Sequence, residues 1–141
     1  MPYKFLKDVA IADVAFEASG RTLKELFESA GLAVTNTMVR DLKKVRPKVT
    51  KTIKLRSDSL ESLLFNFLQE IIFLKDAKQL LLSKFSVKID EKKLLLAGKA
   101  SGEKLDMEKH ELTVDVKAVT YHNFELKKEK NRWVARVILD V

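Results

Sequence analysis

The sequence predicts an α+β fold in which two helices pack on one face of a largely antiparallel β-sheet. Two segments, residues 22–39 and 58–78, carry apolar residues at the i, i+3, i+4 spacing of an amphipathic helix. The remaining segments alternate apolar and polar residues, as half-exposed strands do. The resulting order is β-β-α-β-α-β-β-β-β, with no internal repeat or linker, so we expect one domain over residues 1–141.

The N-terminal part predicts two strands and the first helix. Residues 3–7 and 13–19 read as strands, and Gly20 ends the second. Thr22 and Glu25 have the spacing of a capping box, in which a hydroxyl and a carboxylate bind free backbone N–H groups at the start of a helix. We expect this helix to reach about Val39.

A basic loop and an alternating strand over residues 48–56 lead to the second helix. Asp58 and Glu61 predict a second capping box at its start. The helix is strongly apolar, and its polar Asn66 and Glu70 are expected at the flank of the buried stripe.

The C-terminal part of the chain reads as β-structure. Residues 82–90 and 93–104 predict a hairpin, and residues 106–109 predict a short helical turn. Residues 115–127 and 132–139 predict a last hairpin.

The composition restricts the class of protein. The 141 residues include no Cys, which excludes a disulfide scaffold, a Cys-ligated metal and a Cys nucleophile. No apolar run reaches the ~18 residues of a membrane span, and the N-terminus has no signal-peptide core. We therefore expect a cytoplasmic protein with no membrane association.

The whole formal net charge of +7 lies in residues 40–56, here named the basic strip. The strip carries eight Lys and Arg side chains against the single Asp41, and the rest of the chain has a net charge of zero. It is either a solvated loop and strand face or the contact surface of a non-catalytic RNA-binding module. The candidate RNA or partner contacts in its loop are Arg40, Lys43, Lys44, Arg46 and Lys48.

Few residues suit catalysis, since His110 and His122 are the only histidines and no phosphate-loop, zinc-protease or nucleophile-elbow motif is present. Two carboxylates stand out at strand ends. Asp13 opens a strand, and Asp140 follows an apolar run and adjoins the terminal carboxylate of Val141. They either cap strands or bind a hard divalent cation such as Ca²⁺ or Mg²⁺, which prefers oxygen ligands.

Lys117 is embedded in the apolar strand that also carries His122. A lysine in such a strand either extends to solvent or pairs with a carboxylate. Both interpretations remain open at this point.

Several of these segments together resemble the archease family, the small protein partner of the RtcB-type tRNA-splicing ligase. The resemblance covers nearly the whole chain. Its most specific parts are the ADVAF and GRTLKELF segments beginning at Ala12 and Gly20, the VKAVTYH segment beginning at Val116, and the final ILDV.

The resemblance implies an activator and not an enzyme. Archeases promote guanylylation of the ligase, which joins RNA through a 3′-phosphate, and so allow multiple turnover in tRNA splicing. By position, Asp13 and Asp140 correspond to the family's divalent-cation site, with Ca²⁺, Mg²⁺ or Mn²⁺ as candidates, and Lys117 to its activating lysine. The implied partner is the ligase, with tRNA contacted through the complex.

The chain departs from the family before the second strand. The family usually has a His-Thr-Ala-Asp sequence there, whereas this chain has Asp8-Val-Ala-Ile-Ala-Asp13. The histidine is replaced by an apolar residue, so Asp8 is a further candidate metal ligand. The family resemblance does not account for the basic strip.

Overall fold

The computed structural model describes residues 2–6 and 13–141, and within them the chain forms seven strands and two α-helices. All the strand pairs are antiparallel, which confirms the predicted α+β class. In chain order the elements are β1 (Tyr3–Leu6), β2 (Asp13–Gly20), α1 (Leu23–Met38), a 3₁₀ turn (Leu42–Lys44), β3 (Val49–Arg56), α2 (Leu60–Lys78), β4 (Leu80–Asp90), β5 (Leu95–Lys104), β6 (Ala118–Glu129) and β7 (Arg132–Asp140).

The strands form two sheets instead of one. A four-stranded sheet has the order β1-β2-β7-β6, and a three-stranded sheet has the order β3-β5-β4. Helix α1 contacts β2 of the first sheet and β4 of the second, and α2 contacts β6 and β4. The helices therefore connect the sheets, and their apolar sides fill the core between them. Strand periodicity predicts each strand but not its partner, so this division is not visible in the sequence.

The start of α1 is capped as the sequence predicts. The hydroxyl of Thr22 accepts a hydrogen bond from the N–H of Glu25 at 3.2 Å. The carboxylate of Glu25 accepts from the N–H of Arg21 at 2.9 Å. Both contacts satisfy backbone donors that the first helical turn leaves free.

The predicted capping box at Asp58 is wrong. Ser59 is the N-cap of α2, and its hydroxyl accepts from the N–H of Ser62 at 3.0 Å. The extended backbone of Ser59 directs its short side chain at the first turn, whereas Asp58 lies one residue too early. Neither of the described helices is long and apolar enough to cross a membrane.

The last hairpin begins later than the alternation predicts. Strand β6 starts at Ala118, not at Asp115, and it is interrupted by a bulge between Thr120 and Glu125. In the segment before β6, Lys75 of α2 contacts Asp115 and Val116 through its side chain. This edge of the sheet is thus held by a helix and not by another strand.

Two glycines allow strand β4 to approach its neighbours closely, Gly31 from helix α1 and Gly102 from strand β5. A Cβ atom at Gly31 of α1 would lie 2.9 Å from the ring of Phe85 on β4. A Cβ atom at Gly102 of β5 would lie 1.7 Å from the carbonyl oxygen of Leu81 on β4. The first contact involves a ring that can shift, while the second involves backbone.

We therefore expect Gly102→Ala to lower the free energy of unfolding by about 2–3 kcal/mol, because paired backbone must separate to admit the methyl group. Gly31→Ala should cost less, since alanine gains about 1 kcal/mol in helix propensity and the Phe85 ring can move. Urea denaturation of both variants measures the difference. Equal stability of Gly102→Ala and the parent protein would contradict the close β4–β5 packing.

Candidate functional site

The pairing of β2 with β7 places Asp13 directly opposite Asp140. Along the same register Phe16 faces Val137, and both are fully buried on the helix side of the sheet. Because side chains alternate along a strand, the two carboxylates project from the opposite face, away from the helices. The sequence marks both residues, and the structure makes them neighbours.

Two carboxylates directly opposite each other in a sheet repel, since their Cβ atoms lie about 5 Å apart. Asp140 is exposed, and Asp13 is half-buried. Neither forms an ion pair with a Lys or Arg among the described residues, although Glu17 on the same face pairs with Arg136 at 3.8 Å. A cation from solution that bound between Asp13 and Asp140 would therefore relieve their repulsion.

Lys117 lies beside this pair through its backbone. Its N–H donates to the carbonyl oxygen of Asp140 at 2.8 Å, and the next residue, Ala118, pairs with Asp140 in the sheet. The Lys117 side chain is exposed and forms no ion pair with Asp13 or Asp140. Of the two interpretations of this lysine, extension to solvent is the one observed.

Helix α2 holds the segment that carries Lys117. The buried ammonium group of Lys75 donates to a carboxylate oxygen of Asp115 and to the carbonyl oxygen of Val116, the latter at 3.2 Å. Gln69, two turns nearer the start of the helix, accepts from the N–H of Val119 at 2.6 Å. Gln69 thus supplies a hydrogen bond to the edge strand β6, and Lys75 holds the residues just before it.

Lys75 is charged in this position. Burial disfavours its ammonium form, but the hydrogen bonds and charges of Asp115 and Asp76 outweigh that effect and raise the pKa of Lys75 above its usual value. Sequence reasoning did not select Lys75 or Gln69 as site residues. The available signal was that Lys75 ends the apolar run Ile71–Leu74 on an otherwise buried face.

The remaining predicted metal ligands are Val141 and Asp8. Val141 follows Asp140 at the end of β7 and is half-buried. Asp8 lies outside the described residues. Within residues 2–6 and 13–141, no group of three or more Asp, Glu, His or Cys side chains is close enough to hold a metal ion. The described part of the site is thus a pair of side-chain carboxylates.

The five loop contacts predicted in the basic strip are in different environments. Arg40 forms an ion pair with Glu111, and Lys48 lies 3.5 Å from a carboxylate oxygen of Glu103. Lys43 and Lys44 are exposed in the 3₁₀ turn. Arg46 is exposed as well, and its backbone N–H, not its guanidinium group, contacts Glu103. Two of the five cations therefore pair with carboxylates, and three form no ion pair among the described residues.

A buried carboxylate, Glu103 on β5, organises this loop. It accepts hydrogen bonds from the Lys109 ammonium group at 2.7 and 2.9 Å and from the backbone N–H of Arg46 at 2.7 Å. His110 lies 3.1 Å away through Nε2, and its Nδ1 accepts from the N–H of Asp106 at 3.0 Å. Since Nδ1 accepts, the ring proton is on Nε2 and is directed at Glu103. Both nitrogens of His110 are occupied, which makes it a structural residue.

Burial by itself would raise the pKa of Glu103. The hydrogen bonds from Lys109, Arg46 and His110 act against burial and lower this pKa from 4.5 to about 2. The Glu103 contribution to stability is therefore complete above pH 4.5 and is lost as the pH falls towards 2.

We expect Glu103→Gln to lower the free energy of unfolding by about 2 kcal/mol at neutral pH, because buried donors lose a charged acceptor. The difference from the parent protein should shrink as the pH falls from 4.5 towards 2. Urea denaturation at neutral and acid pH measures it, with the exposed Glu108→Gln as the control. A constant difference across this range would contradict the role of the Glu103 charge.

The comparison with known proteins agrees with the resemblance noted in the sequence. A profile of the Archease protein family matches residues 3–141. The chain is similar to Protein archease of Pyrococcus furiosus, with 41% identity over 133 residues, 92% of this chain and 93% of the relative. It is also similar to Protein archease of Sulfurisphaera tokodaii, with 41% identity over 130 residues and the same coverage.

Solved structures show the same fold. A solution structure of a Methanobacterium thermoautotrophicum protein superposes with a TM-score of 0.85 at 41% identity, covering 99% of each chain. A crystal structure of an archease and possible chaperone from Thermotoga maritima has a TM-score of 0.65 at 19% identity, covering 96% of this chain and 97% of that one. The second likeness concerns the fold alone. The chain belongs to the archease family.

Proposed function

We propose that this protein is an accessory activator of an RtcB-type 3′-phosphate tRNA-splicing ligase, and that it promotes ligase guanylylation and multiple turnover. The observation that carries the proposal is the direct pairing of Asp13 with Asp140, with the backbone of Lys117 bonded to Asp140. Three residues that the family resemblance selects from distant parts of the sequence thus lie at one end of the four-stranded sheet.

The geometry of the pair fits a divalent cation. Two opposed carboxylates with no cationic partner among the described residues provide the hard oxygen donors that Ca²⁺, Mg²⁺ and Mn²⁺ prefer. Asp13 and Asp140 would hold the ion, with the terminal carboxylate of Val141 and Asp8 as further candidate ligands. When bound, such an ion supplies positive charge for phosphate oxygens.

The strands of this chain hold the two carboxylates of the site side by side. Paired strands hold Asp13 and Asp140, and the exposed Lys117 offers an ammonium group that can contact a phosphate beside them. His110, with both ring nitrogens occupied, is unsuited to proton transfer. This arrangement supports a role in presenting charge to a partner's active site, and not a catalytic role of its own.

We expect Asp13→Asn and Asp140→Asn each to reduce ligase turnover by at least about tenfold, because a charged oxygen ligand is lost. The variants should remain folded, since they relieve a like-charge repulsion. A ligation assay with 3′-phosphate RNA and limiting ligase measures turnover, and calorimetry with Ca²⁺, Mg²⁺ or Mn²⁺ measures metal binding. Asp58→Asn, an exposed carboxylate outside the site, is the control. Full activation by both site variants would refute the proposal.

A second prediction concerns Lys75 as a positioning residue. Lys75→Met should reduce activation at temperatures where the variant remains folded, because the segment before β6 loses its contacts with α2. Amide hydrogen exchange at Lys117 and Val119 should accelerate, while exchange in β2 stays unchanged. Unchanged exchange at these amides together with normal activation would show that Lys75 does not position Lys117.

A further inference from the structure

One face of the three-stranded sheet is open, and only some of its cationic residues belong to the basic strip. Five cationic side chains project from it, here named the basic face: Lys54 and Arg56 on β3, Lys84 and Lys88 on β4, and Lys99 on the central strand β5. All five are exposed. Three of them lie outside residues 40–56, and only the strand register brings them beside the other two.

The register arranges these side chains in rows across the sheet. Lys54 pairs with Ala97, which pairs on its other side with Lys88. In the neighbouring row Lys99 lies between Thr52 and Ser86. Cations therefore recur on all three strands, separated by small or hydroxyl side chains.

The basic face is directed away from the helices. Alternate residues on the same strands, including Ile53, Val87 and Leu96, are buried on the opposite side, where α1 and α2 pack. The charged side has no helix or further sheet over it within the described part of the chain. Its residues are free to contact another molecule.

The five cations of the basic face form no ion pairs with carboxylates among the described residues. Arg40 and Lys48 in the loop differ, since they pair with Glu111 and Glu103. The carboxylate at the edge of the face, Asp90, accepts from the N–H groups of Lys92 and Lys93 in the turn. Among the described residues, the positive charge of the face is thus not neutralised by ion pairs.

The side chains of the face favour a nucleic-acid backbone over a protein. Protein interfaces rely on buried aromatic or large aliphatic residues, whereas the middle of this face consists of Lys, Thr, Ser and Ala. Lysines and hydroxyl groups are the common donors to phosphate and sugar oxygens. The face also has no aromatic ring on which an unpaired base could stack, which disfavours single strands.

A broad, open sheet face fits double-stranded RNA better than double-stranded DNA. The major groove of B-DNA admits a helix or a narrow ribbon, and its minor groove is only about 6 Å wide. The minor groove of A-form RNA is wide and shallow and displays 2′-hydroxyls. With strands about 4.8 Å apart and a rise of about 3.3 Å per residue, the face measures roughly 10 by 20 Å. We propose that the basic face binds the ribose-phosphate backbone of an RNA stem.

The proposal is tested by the salt dependence of binding to a labelled RNA hairpin whose stem exceeds one helical turn. Fluorescence anisotropy between about 50 and about 200 mM salt should give a log–log slope of about −3.6, from about four phosphate contacts at about 0.9 each. Lys84→Gln with Lys99→Gln should reduce the slope by about two and weaken binding about tenfold at the lowest salt.

A matched control removes the same charge elsewhere. Lys78→Gln with Lys130→Gln replaces two exposed lysines outside the basic face and should leave RNA binding nearly unchanged. Equal losses in the two double variants would overturn the proposal, because binding would then follow net charge alone. Circular dichroism of both variants verifies that they are folded.

Competition with other polyanions identifies the class of molecule that the basic face binds. Single-stranded RNA, duplex DNA and poly-glutamate should each displace the hairpin less well than unlabelled hairpin does. Equal or better displacement by any of the three overturns the assignment, in the case of poly-glutamate in favour of an acidic protein partner. The assay contains no ligase and no divalent cation, so its outcome is independent of the activation proposed for Asp13 and Asp140.

Discussion

The register between β2 and β7 is the constraint on which the carboxylate site depends. Phe16 and Val137 are buried opposite each other, and a slip of one residue would bring apolar side chains to the solvent and acidic ones into the core. The hydrophobic core therefore fixes which residues meet at the end of the sheet. Asp13 and Asp140 repel each other, and the apolar pairs beside them hold the two together.

The edge strand β6 is held by side-chain contacts from α2 that the apolar periodicity of the sequence does not predict. Helix α2 buries an apolar stripe, yet it also places Gln69 and Lys75 against the backbone before and within β6. An edge strand with unpaired backbone groups invites pairing with other chains. Side chains from a helix remove that hazard at Val119 and fix the path of Lys117 at the same time.

Local sequence patterns predicted the helices and strands. Most differences between the prediction and the structure involve contacts between residues far apart in the sequence. The Thr22 cap, the two helical stripes and the antiparallel α+β class follow from spacing and alternation. The Asp58 box was wrong because a neighbouring serine has the better position. The residues before the late start of β6 contact Lys75, 40 positions away in the sequence. The pairing of Asp13 with Asp140 was implied only by the family resemblance, since spacing in a sequence does not give strand order. The cations of the basic face outside the strip were missed for the same reason.

The three-stranded sheet has a basic open face, whereas one end of the four-stranded sheet carries the Asp13–Asp140 pair, and this difference has a consequence for anionic partners. A polyanion is attracted to the uncompensated lysines around Lys99 and repelled by Asp13 and Asp140. A divalent cation on the carboxylate pair would reverse the second effect, because the ion becomes the largest local charge. Access of phosphate to the end of the four-stranded sheet would then depend on the bound cation, whereas attraction to the three-stranded sheet would not. On the two proposals made above, the division between the sheets would separate a permanent electrostatic contact from a conditional one.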